Sequence, residues 1–167
     1  MSDITIERAA PRSIAAVGAY ADRAPLLSAL MAEFGITIPA PQSFIRSASI
    51  TLSCLSPSRY LASADRDANL PGRLAKSLSG LAAITDQSDQ WAIFTLSGAH
   101  SRDALARLVP IDLAPKKFPI GALALTRASH LDARLWHVAE DAYELAVTRS
   151  CEADFRFRLQ KEESVLF

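Results

Sequence analysis

The residues of this chain whose types could support acid-base, metal or nucleophilic chemistry are three histidines, two cysteines and a Ser-Gly pair. Histidine titrates near neutrality and ligates metals. His130 and His137 could meet across a hairpin, while His100 stands apart. No Cys or carboxylate accompanies them at ligand spacing, and a reactive centre needs several converging groups. His130 and His137 therefore read as a turn histidine and a strand histidine. Ser97 precedes Gly98 at an expected strand-to-helix turn, where a nucleophile elbow would sit. The elbow also needs a glycine two positions before the serine, and that residue is Thr95. Gly98 reads instead as relief for a tight turn at a helix entrance.

A helix start can activate a thiol, which draws notice to Cys151, but no histidine lies near it in sequence. Cys54 and Cys151 show no paired spacing of the zinc or redox kind. The sequence permits a single disulfide between them, whereas an intracellular chain keeps both reduced, and both read as small apolar residues. Arg102 and Asp103 read as a solvated surface pair worth about 0.5 kcal/mol. Phosphate-cradling loops need closely spaced glycines, and the six here are single, at 18, 35, 72, 80, 98 and 121. That spacing excludes the dinucleotide and P-loop signatures.

Residue periodicity supplies the elements that would position these groups. Ser13 to Ala19 reads as a strand. Leu26, Leu27, Leu30, Met31 and Phe34 give one face of a helix with Pro25 in its first turn and Gly35 at its end. Ser47 to Cys54 and Arg59 to Ala64 form a hairpin around LSPS. Asn69 is the expected cap of a second helix, with Pro71 in its first turn and Leu70, Leu74, Leu78 and Leu81 at helical spacing; Leu81 to Thr85 follows as a strand. This order, β-α-β-β-α-β, is the split unit of ferredoxin-like folds.

From Gln90 the pattern begins again. Trp91 to Leu96 is an expected strand, and Ala104, Leu105, Leu108 and Val109 mark a short helix that Pro110 stops. Gly121 to Arg127, Ala133 to Val138 and Tyr143 to Val147 read as antiparallel strands, the last two joined at Glu140-Asp141. Ser150 is the expected cap of a final helix, with Glu152 and Asp154 in its positive first turn and Phe155 and Leu159 buried. The expected fold is α+β, with two ferredoxin-like β-α-β-β-α-β-type halves on antiparallel sheets. Residues 1–167 form a single expected domain of two intertwined halves, approximately 1–88 and 89–167.

Half of the residues are hydrophobic and 22% are charged, a globular composition. Eighteen basic residues balance eighteen acidic ones, so the broad positive field that nucleic acid or an anionic membrane requires is lacking. The amino terminus, MSDITIERAA, lacks the pattern of a secretory signal, and apolar runs such as IAAVGAYA are far short of a membrane span. A cytoplasmic protein is expected. Within the proline-bounded loop after Pro110, Lys116 and Lys117 stand immediately before Phe118. Phe118 is either an exposed interface anchor or folds inward to cover the helix end.

One block carries a family signature: Trp91, Leu96-Ser97-Gly98, Arg102-Asp103, Pro110-Ile111-Asp112-Leu113, Phe118-Pro119-Ile120-Gly121, Thr126-Arg127, Leu135-Trp136, Asp141, Glu144-Leu145 and Arg149-Ser150. In order and spacing it resembles the gamma subunit family of the heterotetrameric sarcosine oxidases. Before Trp91 the correspondence is one of outline, in Ser56-Pro57-Ser58-Arg59-Tyr60-Leu61; Tyr60 stands where a Trp is usual and a Ser replaces a turn glycine. The resemblance implies a fold similar to the folate-binding domain of the glycine-cleavage T-protein. It further implies a non-catalytic role beside alpha, beta and delta subunits that oxidise sarcosine to glycine and hydrogen peroxide. The methyl carbon would leave as formaldehyde or methylenetetrahydrofolate. FAD, FMN, NAD and tetrahydrofolate are implied on the partner subunits, with zinc on delta; no cofactor, metal or catalytic residue is expected on this chain.

Two alternatives remain: a gamma-like subunit of another N-methyl amino acid oxidase or dehydrogenase, and a free-standing folate-binding, aminomethyltransferase-like protein. The second would need a pocket carboxylate and an arginine, for which Asp112 and Arg127 are the candidates. In the subunit reading Asp112, Phe118 and Arg127 form the expected partner interface.

Overall fold

Along residues 4–20, 23–65 and 69–165, which this computed structural model describes, the strands are β1 (Thr5–Arg8), β2 (Arg12–Ala19), β3 (Ser43–Arg46), β4 (Thr51–Ser56), β5 (Arg59–Asp65), β6 (Ala82–Asp86), β7 (Trp91–Ser97), β8 (Leu123–Ala128), β9 (Leu131–Ala139) and β10 (Ala142–Thr148). The helices are α1 (Arg23–Phe34), α2 (Leu70–Ser77), α3 (Ser101–Leu108) and α4 (Glu152–Val165), the last preceded by a 3-10 turn, Arg149–Cys151. Among the described residues no helix is long and apolar enough to cross a membrane.

The chain divides into two units, Pro11–Asp89 and the combination of Met1–Ala10 with Gln90–Phe167. In the first, the sheet order is β3-β4-β5-β2-β6 and every pairing is antiparallel. Side chains alternate across a strand, so Ala15 and Val17 of β2 share one face. They meet Leu52, Cys54, Tyr60 and Ala62 in a single core. The helices close that core through four-residue spacings: Leu26, Leu30 and Phe34 on α1, and Leu70 and Leu74 on α2 with Leu78 at its C-terminal cap, all buried. Gly35, at φ +60, ends α1 with its N–H on the Met31 carbonyl at 3.0 Å, a conformation that a side chain at this position would strain.

The other unit has the order β1-β7-β10-β9-β8, again antiparallel. Leu105 and Leu108 of α3 and Phe155 and Leu159 of α4 pack on Phe94, Leu96, Leu135, Leu145 and Val147. Phe94 meets Phe155 edge to face at 5.3 Å, a pair worth about 1 kcal/mol beyond the area it buries.

Element by element, this unit repeats the first: β7, α3, β8, β9, β10 and α4 correspond to β2, α1, β3, β4, β5 and α2. In the first unit β6 then completes the sheet beside β2. In the second, the equivalent place beside β7 is taken by β1, from the other end of the chain, in the register Thr5↔Ser97 and Arg8↔Phe94.

Several local expectations change. Strands β1 and β3 were absent from the expected set because four residues at a sheet edge carry too little periodicity to register. Met31 faces solvent at the flank of α1. Asn69 adopts a left-handed conformation, φ 42 and ψ 45, and makes no side-chain capping bond. Ser150 lies inside the 3-10 turn, so α4 starts at Glu152. Glu140-Asp141 does turn β9 into β10, with Asp141 at φ 50.

Candidate functional site

The loop between α3 and β8 is built from its own sequence. Pro110 follows the last turn of α3, and Asp112 Oδ1 accepts the Ala114 N–H at 2.9 Å, an Asx turn. The Ala114 carbonyl then accepts the N–H groups of Lys117 and Phe118 at 2.8 and 2.9 Å. This tight winding leaves Lys116 and Lys117 exposed and turns Phe118 inward, only 6% exposed. The exposed-anchor reading of Phe118 is corrected accordingly: its side chain belongs to the core.

What receives Phe118 is His137. Its imidazole stacks with the Phe118 ring at 6.0 Å and the Tyr143 ring at 4.5 Å, nearly parallel to both. A carbonyl only accepts, so in the 2.8 Å contact between His137 Nδ1 and Phe118 O the Nδ1 is the donor. The Gly121 N–H donates to the His137 carbonyl, and the His137 N–H to Ala122 O. One β9 residue thus clamps both ends of the Phe118-Pro119-Ile120-Gly121 step. Tyr143 continues outward, its hydroxyl accepting from Arg102 Nε at 3.3 Å.

A groove of about 440 Å³ lies at the β8–β9 hairpin of the same unit. Alternation along β9 turns Ala133 and Leu135 to the core, so Asp132 and Arg134 face away from the helices. The Arg134 guanidinium sits 4.0 Å from the centre of the Trp91 ring, and its Nη1 is buried and donates to no atom of the described residues. Burial pushes the Arg134 pKa down to about 10. Arg127 and Leu125 stand at the rim, and Leu125 is 53% exposed. Arg127 Nη2 donates to the His130 carbonyl at 2.8 Å. Two guanidiniums, one drawn partly out of water over an indole, suit this groove to a carboxylate or another planar anion.

A smaller cleft of about 220 Å³ in the other unit is lined by Arg12, Arg46 and hydroxyl residues. Two of its hydroxyls are already engaged: Ser47 with Ser49 at 3.2 Å, and Ser49 with the Phe34 carbonyl.

The remaining sequence candidates separate. His100 meets Asp103 at 3.3 Å and His130 meets Asp154 at 3.5 Å, each pair exposed. Among the described residues no three His, Cys, Asp or Glu side chains gather as a metal site. Both cysteines are free, and burial raises the Cys54 thiol pKa. Of the expected interface residues, Arg127 lines the groove, while Asp112 and Phe118 belong to the clamped loop. Sequence reasoning passed over Arg134. The available signal was a charge at an alternating position between Ala133 and Leu135, two residues from Trp136 on the same face.

The model of the sarcosine oxidase, gamma subunit family matches residues 17–165. A heterotetrameric sarcosine oxidase from Corynebacterium sp. U-96, in complex with pyrrole 2-carboxylate, includes a similar chain with TM-score 0.86 at 20% identity, covering 96% of this chain and 84% of that one. The glycine cleavage system aminomethyltransferase T from Bartonella henselae superposes with TM-score 0.69 at 13% identity over 95% of this chain and 45% of its own. The chain thus spans under half of that protein. The regulatory subunit of aspartate kinase from Thermus thermophilus gives TM-score 0.50 at 13% identity, covering 96% of this chain and 98% of that one. No curated protein matches the sequence. At these identities the structural likeness is one of fold.

Proposed function

Because the chain belongs to the sarcosine oxidase, gamma subunit family, we propose that it acts as the non-catalytic gamma subunit of a heterotetramer that oxidatively demethylates sarcosine. Its contribution is assembly with alpha, beta and delta chains. Those chains would carry FAD, FMN, NAD and tetrahydrofolate and release hydrogen peroxide with formaldehyde or methylenetetrahydrofolate. The observation that carries the reading is the extent of the family match, residues 17–165, which takes in nearly all of both units. We place the partner-facing surface at the loop from Asp112 to Gly121 and at Arg127. Ile120 at 59% exposure and the exposed Lys116, Lys117 and Arg127 give that surface the mixed apolar and charged character of an interface. Phe118 supports it from beneath.

A second reading draws on the likeness to the aminomethyltransferase fold: a free-standing folate-binding protein. One experiment separates the two. The tagged chain is purified gently from its own cells, and the product is examined by visible spectrum and denaturing gel. Yellow material with larger chains supports the subunit reading, and oxidation by that material of sarcosine or of another N-methyl amino acid identifies which oxidase it is. A colourless single chain that binds tetrahydrofolate overturns it.

A further inference from the structure

We propose that the groove at the β8–β9 hairpin seats a carboxylate side chain of a partner subunit, gripped by Arg134 over Trp91 with Arg127 at the rim. The inference rests on the subunit reading above and adds to it the chemistry of the contact.

A guanidinium is a planar fork of five donors with no acceptor, and taking it out of water is costly unless it is paired. The Trp91 face at 4.0 Å satisfies Arg134 from one side. It cannot satisfy the N–H groups in the guanidinium plane, and Nη1 is buried with no acceptor among the described residues. Burial lowers the Arg134 pKa with no opposing attraction from an acid. Asp132 is the one acid that lines the groove; it is exposed and forms no ion pair with either arginine within 4 Å. Arg127, one position from the end of β8, gives an N–H to the His130 carbonyl and stands opposite Asp132 in the β8–β9 register. The groove is therefore a preformed cationic seat in which two arginines face one exposed acid, and the buried Nη1 of Arg134 is left without an acceptor.

The occupant follows from the rim. Leu125 is 53% exposed directly beside the two cations. A small carboxylate would leave Leu125 wet and would itself stay in contact with water, where an ion pair gains little. A protein surface carrying an Asp or Glu beside an apolar side chain covers Leu125 and excludes water from the Arg134 pair together. A planar arginine fork stacked on an aromatic ring, adjoining an apolar contact, is the composition of an interface anchor.

The test uses the complex purified with the tagged chain. Arg134→Lys keeps the charge and brings a primary amine to the groove. Treatment with a water-soluble carbodiimide should join that amine to an Asp or Glu of another subunit, an amide found by mass spectrometry of the digested complex. In parallel, Arg134→Met should weaken binding to the remaining chains roughly tenfold or more. It should also flatten the dependence of binding on salt, while the isolated chain melts close to the unsubstituted protein. A complex of unchanged affinity with Arg134→Met, or an adduct confined to Asp132 or to a second copy of this chain, would overturn the proposal and leave the subunit reading standing. If the unsubstituted chain recruits no other subunit, the subunit reading itself fails, and this inference with it.

Discussion

His137 donates its Nδ1 proton to the Phe118 carbonyl at 2.8 Å while its ring stacks between Phe118 and Tyr143. The side chain of β9 thereby holds both the backbone and the ring of the loop residue. The Asp112 to Gly121 loop is fixed to the sheet, so a partner that uses it meets a preorganised surface and does not have to order it on binding.

Phe118→Ala should destabilise the isolated chain by about 3–5 kcal/mol, since a core aromatic is truncated. His137→Ala should cost about 2 kcal/mol through the lost hydrogen bond and stacking. Urea unfolding of the isolated chain measures both. A loss below about 0.5 kcal/mol for Phe118→Ala would contradict the inward placement of the ring.

Arg8 Nε donates to Glu152 Oε1 at 2.9 Å across 144 positions of sequence, tying β1 to the start of α4. Arg8→Met should loosen β1 by about 1 kcal/mol, as a part-buried ion pair and its hydrogen bonds are lost. The expected readout is faster hydrogen exchange of the β1 amides with β9 unaffected; equal acceleration across the sheet would show that β1 does not move by itself.

The same pair sets a pH dependence. The hydrogen bond from Arg8, supported by Arg156, holds the Glu152 carboxyl below the usual carboxylate range against the opposing effect of burial. A depressed folded-state pKa stabilises fully above the unfolded value, and the stabilisation is lost as pH falls through the folded one. Protection of β1, corrected for intrinsic exchange, should therefore decline below about pH 4. In Glu152→Gln it should be low at neutral pH and should lack that acid step.

Asn69 holds φ 42 and ψ 45 ahead of α2. Asn69→Ala should cost about 1 kcal/mol, because a Cβ without a compensating polar group disfavours this region. Asn69→Gly should stay within a few tenths of a kcal/mol of the unsubstituted chain. Thermal melts of the two variants decide it, and equal losses would place the cost in the side chain, not in the backbone.

Charge reversal at the exposed rim tests the assembly reading without disturbing the core. Arg127→Glu should change the stability of the isolated chain by less than about 0.5 kcal/mol and lower the recovery of partner chains in co-purification. Unchanged recovery would remove Arg127 from the interface.

Helical spacing picked out Leu26, Leu30 and Phe34 on α1 and Leu70 and Leu74 on α2, because a helix that packs on a sheet repeats its buried residues every three or four positions. It also put Met31 on the buried face, where the structure exposes it, and carried α2 on to Leu81, past its end at Ser77. Alternation and turn chemistry picked out β9 and β10 around Glu140-Asp141, and the family pattern from Trp91 to Ser150 pointed to the same fold. These signals are local, and each needs only a few turns or residues of chain.

Tertiary structure decided the rest. A period of two tells which residues share a face but not which strand lies alongside, so nothing in TIER announced that Thr5 pairs with Ser97. Phe118 had two open orientations until the partner that draws it inward, His137, was in place. Arg134 and Trp91 meet only because β10 lies between β7 and β9, which brings a strand start and a strand middle together on one face. The cationic groove is a product of strand order, and strand order is fixed by competition among edges across the whole chain.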